Sequence, residues 1–167
     1  MPSMHTTDSR NGDISKPGIR AGAVTLAQTG RVMTLSTFDG GSSWAAPVYY
    51  MFSARSFYFF SNKEARHISD LRQTGAACAA AVFYDDNRVE NIKGLQMQGH
   101  IEKVDRKVES YLKALEYVKK FQIECDRNRI IDFFYKAYNA SFYKFVPESV
   151  FYMDNSIRFG FRQSISL

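Results

Sequence analysis

One stretch of this sequence, FYFFSNKEARHISDL from Phe57 to Leu71, crowds Lys63, Arg66 and His67 between the end of an apolar run and the start of an amphipathic one. If the first is a strand and the second a helix, these cations stand at a helix N-terminus, where unpaired N–H groups and the helix dipole already make the potential positive. Glu64 offsets part of that conflict and solvent screens the rest at a cost of ~0.3–1 kcal/mol per charge, so an exposed turn would tolerate it. A bound anion would turn the conflict into attraction. Helix N-termini bind phosphate, Arg66 can clamp two oxygens, and Ser61 and Asn62 add short polar contacts.

Other chemistry-bearing residues form no recognisable device. His5, His67 and His100 fall in different elements, with no HExxH motif and no Cys/His cluster, so no metal site is expected. Cys78 and Cys125 make no CxxC pair and are too few for a disulfide framework, which predicts reduced thiols. No GxSxG elbow, GxxxxGK loop or GxGxxG fingerprint is present, which argues against a serine nucleophile, a P-loop and a built-in dinucleotide domain. Gly40 and Gly41 suit a hairpin, and Asp85, Asp86 and Glu90 a loop between strands.

The chain has the size of one domain, 167 residues, and its 45% hydrophobic, 15% aromatic and 23% charged composition excludes a wholly disordered, collagen-like or coiled-coil protein. No apolar run approaches the ~20 residues of a membrane helix, and no basic-then-apolar leader opens the chain. A soluble, cytoplasmic protein without a membrane partner is expected. The balance of 22 basic and 17 acidic residues gives +5. Between Glu102 and Arg129 both signs are mixed rather than gathered into a basic stripe, so nucleic acid is not the favoured partner.

The elements that must position the basic corner read as follows. Residues 1–16 are polar and aperiodic and are expected to be a flexible leader to a single domain at 17–167. Pro17 to Gly30 suggests a short helix, weakened by Gly22. Residues 31–38 and 44–52 flank Asp39, Gly40 and Gly41 as a hairpin, and 57–61 add a third strand. A short helix over 65–74 is closed by Gly75. An alanine-rich strand over 76–84 follows. Residues 93–104 then alternate Leu95, Met97, Gly99 and Ile101 with Gln96, Gln98, His100 and Glu102, the period of a strand with one buried face. Asp105 opens a longer amphipathic helix, residues 129–139 a second one ending near Asn139, and 141–165 a strand pair turning near Asp154 and Asn155. Six or so antiparallel strands with peripheral helices predict an all-β, closed or nearly closed barrel.

With that order of elements, the chain resembles the FMN-binding split-barrel superfamily, which includes pyridoxamine 5'-phosphate oxidase. In that superfamily an apolar strand ends in a Thr/Ser-Asn pair followed by a basic helix start that holds the flavin phosphate. The resemblance assigns Ser61, Asn62, Arg66 and His67 to that anchor, with Ala65 where a serine is common. It places Ala46, Pro47, Val48 and Tyr49 along the isoalloxazine, chiefly through backbone groups, and Gly94, Leu95 and Gln96 near the ring. The tail DNSIRFGFR looks like the closing segment of a small branch of the superfamily. Where the vitamin B6 oxidases carry an Arg-x-His-Asp type motif, this chain reads Arg158, Phe159, Gly160, Phe161, Arg162, which argues against that activity.

The resemblance therefore implies a six-stranded antiparallel Greek-key split barrel and FMN as cofactor. It further implies a homodimer with flavin at the subunit interface, and a transient NAD(P)H donor for an oxidoreductase or flavin-reductase-like activity. Trp44, Phe159 and Arg162 are candidates to cover the ring, although Trp44 and Phe159 also suit ordinary packing and Arg162 an exposed surface. Two other classes stay open. A non-catalytic flavin or haem binder would share the fold, and an aromatic-rich barrel for single-stranded nucleic acid would show steeply salt-dependent oligonucleotide binding.

Overall fold

The computed structural model describes residues 16–74, 77–105 and 108–167. Residues 1–15 of the leader expected over 1–16, with His5, and the expected helix stop at Gly75 lie outside the described residues, and Lys16 opens a helix.

Helix α1 (Lys16–Thr29) precedes β1 (Val32–Phe38), β2 (Ser43–Tyr49), β3 (Met51–Ser53) and β4 (Ser56–Asn62), and α2 (Arg66–Thr74) leads to β5 (Ala77–Tyr84) and β6 (Lys93–Lys103). Helices α3 (Val108–Phe121) and α4 (Ile130–Tyr138) come next, then β7 (Ala140–Asp154) and β8 (Arg162–Ile165). The strands form one curled antiparallel sheet in the order β2-β1-β5-β6-β7-β4-β3, with β8 paired to β7. This is a split barrel with peripheral helices. The connection through α2 carries the chain from β4, on one flank, to β5, on the other side of the central strands.

Among the described residues there are eight strands where six or so are expected: the expected pair over 141–165 is β7 and β8, and the three-residue β3, too short to carry a pattern of its own, comes from the division of one expected run into two. The expected run 44–52 divides at Tyr50, which extends the β1–β2 register by donating its N–H to the Arg31 carbonyl at 3.0 Å while its ring, fully buried, turns into the core. Asn139 ends α4 as expected: its left-handed backbone (φ 50°) lets its N–H reach the carbonyls of Phe134 and Tyr135.

Two apolar cores result from the alternation. The barrel interior is filled by Met33, Leu35, Phe57, Phe59, Leu95 and Phe145, and α1 closes it with Ile19, Ala23 and Leu26. Burying each large side chain stabilises the fold by roughly 1.5–3 kcal/mol. Gly22, which weakens the helix in isolation, is required by this packing: a Cβ there would stand 2.9 Å from the Tyr152 hydroxyl oxygen. The second core joins α3 and α4 to the back of β4 and β7, where Phe60 stacks on Phe134 with ring centroids 3.8 Å apart. The long β7 serves both flanks, pairing with β6 and β4, and a bulge opposite Gln98 and Gly99 takes up its bend. A Cβ on Gly99 would lie 2.1 Å from the Val146 carbonyl oxygen, so only glycine allows that approach.

Candidate functional site

Strand pairing builds two adjacent rows of side chains on the outer face of the sheet. Across β2, β1, β5, β6 and β7, register aligns Ala45, Ser36, Ala79, Gln98 and Ser149, and beside them Pro47, Thr34, Ala81, Gln96 and Phe151. Because a strand alternates faces, the same segments turn Leu35, Ala80, Leu95 and Met97 into the core. The outward residues are mostly small, so the sheet surface lies open and a groove of about 470 Å³ runs over it. Its polar groups include the amides of Gln96 and Gln98, each able to donate and accept.

Arg162 reaches the β7 end of the groove, its guanidinium 4.1 Å from the centre of the Phe151 ring. The preceding Asp-Asn pair puts it there. Asp154 accepts from the Ser156 N–H at 3.0 Å and from the Tyr152 hydroxyl at 2.8 Å, and pairs with Lys93 at 3.2 Å. Burial pushes its carboxyl up, but hydrogen bonds from Ser156, Tyr152 and Lys93 outweigh burial and hold it below the usual carboxylate range. Asn155 accepts from the Gly160 N–H at 3.0 Å, so the tail folds back and β8 runs along β7.

The strand-to-helix corner is separate in construction but one residue away along the chain. Asn62 shapes the turn before α2 by accepting from the Glu64 N–H at 2.8 Å. Ser61 and His67, both buried, hydrogen-bond each other at 2.8 Å between Oγ and Nε2. Burial holds the His67 imidazole below its ordinary pKa, against a smaller pull from Asp70, so the ring is neutral at pH 7. Arg66 donates to Ser42 Oγ at 2.5 Å and to Asp39 Oδ2 at 3.3 Å, lies 3.9 Å from Asp70 Oδ2, and covers the Trp44 ring at 4.7 Å. Asp70 is itself buried and accepts from Thr37 Oγ1 at 2.8 Å. Trp44 and Thr37 of the corner directly adjoin Ala45 and Ser36 of the groove, and β2 is an edge strand of the sheet.

Of the residues singled out in the sequence, Gln96 and Arg162 meet in the groove, Pro47 stands in its second row, and Gly94 shares the Gln96 face of β6. Ala46 and Leu95 face the interior and Val48 packs against it, so each offers the outer surface only backbone. Tyr49 is exposed and packs edge-on against Phe121. Trp44 belongs to the Arg66 corner. Phe159 stands in the turn before β8, exposed beside Val89 and Arg158. Sequence reasoning did not single out Gln98, Phe151 or the alanines, although the period that placed Gln96 outward places Gln98 there too. It read Asp39 as a turn residue only, and nothing local reveals that its carboxylate reaches Arg66, 27 residues on.

The donor set fits a flat, partly polar aromatic ring in the groove, with amides at its edge and a guanidinium at one end. At the corner the partly exposed Arg66 is held by Asp39, Ser42 and the Trp44 ring, and Ser61 and His67 hydrogen-bond each other.

A family model described as pyridoxamine 5'-phosphate oxidase matches residues 21–153, which span β1 through β7. Among curated proteins, the UPF0306 protein YhbP of Escherichia coli O157:H7 is 25% identical over 131 residues, covering 77% of this chain and 80% of its own. Among solved structures, a heme binding protein from Mycobacterium smegmatis superposes with a TM-score of 0.67 at 16% identity, over 86% of this chain and 56% of that one. A FAD-binding protein from Mesorhizobium loti superposes with a TM-score of 0.57 at 16% identity, over 78% and 89%. The structural likenesses bear on the fold alone, whereas the family model spans most of the sequence. The chain belongs to the pyridoxamine 5'-phosphate oxidase family.

Proposed function

We propose that this chain is an FMN-binding oxidoreductase whose flavin ring lies in the outer groove and whose phosphate reaches around the β2 edge toward Arg66. The observation that carries this reading is the pair of register rows: ten positions on five strands leave a shallow, small-residue floor bordered by Gln96, Gln98, Phe151 and Arg162. A pocket of this size, mostly apolar with a few convergent polar groups, is what small-molecule sites require. When bound, the flavin supplies the redox chemistry. The chain's own part is to hold the ring flat, to hydrogen-bond its polar edge through the two amides, and to leave the opposite face open to NAD(P)H. A second copy of the chain completes the site in this reading. Phe83, 70% exposed, extends the groove face and gives that copy an apolar surface to cover.

Haem is the second reading, supported by the haem-binding structural relative. Haem iron needs a His, Cys, Met or Tyr ligand. Among the described residues that line the groove only Met97 is of that kind, and its side chain is buried in the core. Flavin is therefore favoured. Titrating the purified protein with FMN should quench flavin fluorescence at one site per chain, and NAD(P)H should then bleach the bound flavin. Uptake of haem with a sharp Soret band and no response to FMN would replace this function with the second one.

A further inference from the structure

The corner holds something a plain phosphate cradle does not need. The turn from Asp39 to Ser42 packs a carboxylate onto Arg66, and that carboxylate is fixed by the turn itself: Asp39 Oδ1 accepts from the N–H groups of Gly41 at 2.8 Å and Ser42 at 2.7 Å. Its other oxygen takes the Ser42 hydroxyl at 2.9 Å and the Arg66 guanidinium at 3.3 Å. These backbone and hydroxyl hydrogen bonds, with a smaller contribution from Arg66, hold the Asp39 carboxyl at about 2, so it is ionised throughout the physiological range. Behind the guanidinium stands the buried Asp70. An arriving phosphate meets a guanidinium whose charge is already shared by two carboxylates, and like charges at this range repel.

We propose that Asp39 is a resident counter-anion for Arg66 and thereby a specificity-determining residue: the site discriminates little between a phosphorylated flavin and its unphosphorylated parent. This rests on the flavin reading above. The test compares FMN and riboflavin by fluorescence titration in the wild type, Asp39→Asn and Arg66→Gln. Asparagine keeps the Oδ1 acceptor for Gly41 and Ser42, so the turn should survive, and Asp39→Ser provides a second neutral variant. In the wild type the two affinities should lie within about threefold, because the Arg66 charge is already paired. Asp39→Asn or Asp39→Ser should tighten FMN about tenfold with riboflavin unchanged, the size expected when one charge-assisted contact is freed. Arg66→Gln in the wild type should change the two affinities alike. A strong wild-type preference for FMN, or an FMN-to-riboflavin ratio that Asp39 substitution does not move, would overturn the proposal while leaving flavin binding intact. Failure of every form to bind either flavin removes the flavin reading and the proposal with it.

Discussion

The groove and the corner beside it are built in opposite ways. The groove is assembled from residues far apart in sequence, between Thr34 and Arg162, brought together only by strand register, and most of its lining is chemically bland. The corner joins only two short segments, Ser61, Asn62, Arg66, His67 and Asp70 within ten positions and the β1–β2 hairpin from Thr37 to Trp44, and it is dense in charge and hydrogen bonds. A site that is blank in sequence supplies shape, and a site that is loud in sequence supplies charge. That charge is largely spent within the protein. Shape should therefore dominate ligand affinity and charge should adjust it.

The strongest test of that ordering fills the groove without touching the corner. Ala81→Trp places an indole on the floor between Thr34 and Gln96, its register neighbours on β1 and β5's other partner β6, on a face that carries no core packing. Flavin affinity should fall at least ~100-fold, about 2.8 kcal/mol at 1.4 kcal/mol per decade, with an unchanged thermal midpoint. If the filled protein still binds flavin normally by fluorescence titration, the ring lies elsewhere and the comparison fails.

The same contrast explains what was legible in the sequence. The corner was found because strand end, helix start and three basic residues are contiguous, and the alternation in residues 93–104 correctly separated Gln96 from Leu95. The fold class followed from strand count and order. What local pattern could not supply was which strands neighbour which: Ala79 and Ala81 acquire meaning only when β5 lies between β1 and β6. Nor could it reveal that the Asp39 turn folds onto α2, since Asp-Gly-Gly reads equally well as an ordinary hairpin. The resemblance assigns Ala46 and Val48 to the ring chiefly through backbone groups, and the strand period turns their side chains inward while those of Ala45 and Pro47 face outward.

A smaller effect sharpens the account of how the groove recognises polarity. Gln96→Ala removes an amide at the centre of the second row, and Gln98→Ala its neighbour in the first. Each loses a hydrogen bond worth about 0.5–1.5 kcal/mol, roughly a two- to twelvefold loss of flavin affinity. The double substitution should exceed either single one and shift the absorption maximum of bound flavin. Equal affinities across the three variants would mean that the amides face solvent even when ligand is present.

The smallest expected effect concerns whether the corner keeps His67 neutral. Because burial lowers its pKa in the folded state, the unfolded chain takes up the proton first as pH falls. The stability contributed by His67 is therefore present above the unfolded value of about 6.5 and is lost as pH drops toward the folded pKa. His100 has the opposite sign: hydrogen bonds to Glu102 and Glu148 raise its pKa, so its contribution is present below about 6.5 and is lost as pH rises through its folded value. His100 is more exposed, and solvent screening makes its share the smaller. Urea midpoints measured from pH 5.5 to 8 should fall less toward acid in His67→Gln than in the wild type, and less toward alkali in His100→Gln. An unaltered acid slope in His67→Gln would mean that burial does not shift the imidazole between the folded and unfolded chain. Below about pH 6.5 His67 would then carry charge at the corner beside Arg66, and in that range the phosphate end of the ligand would regain a claim on affinity.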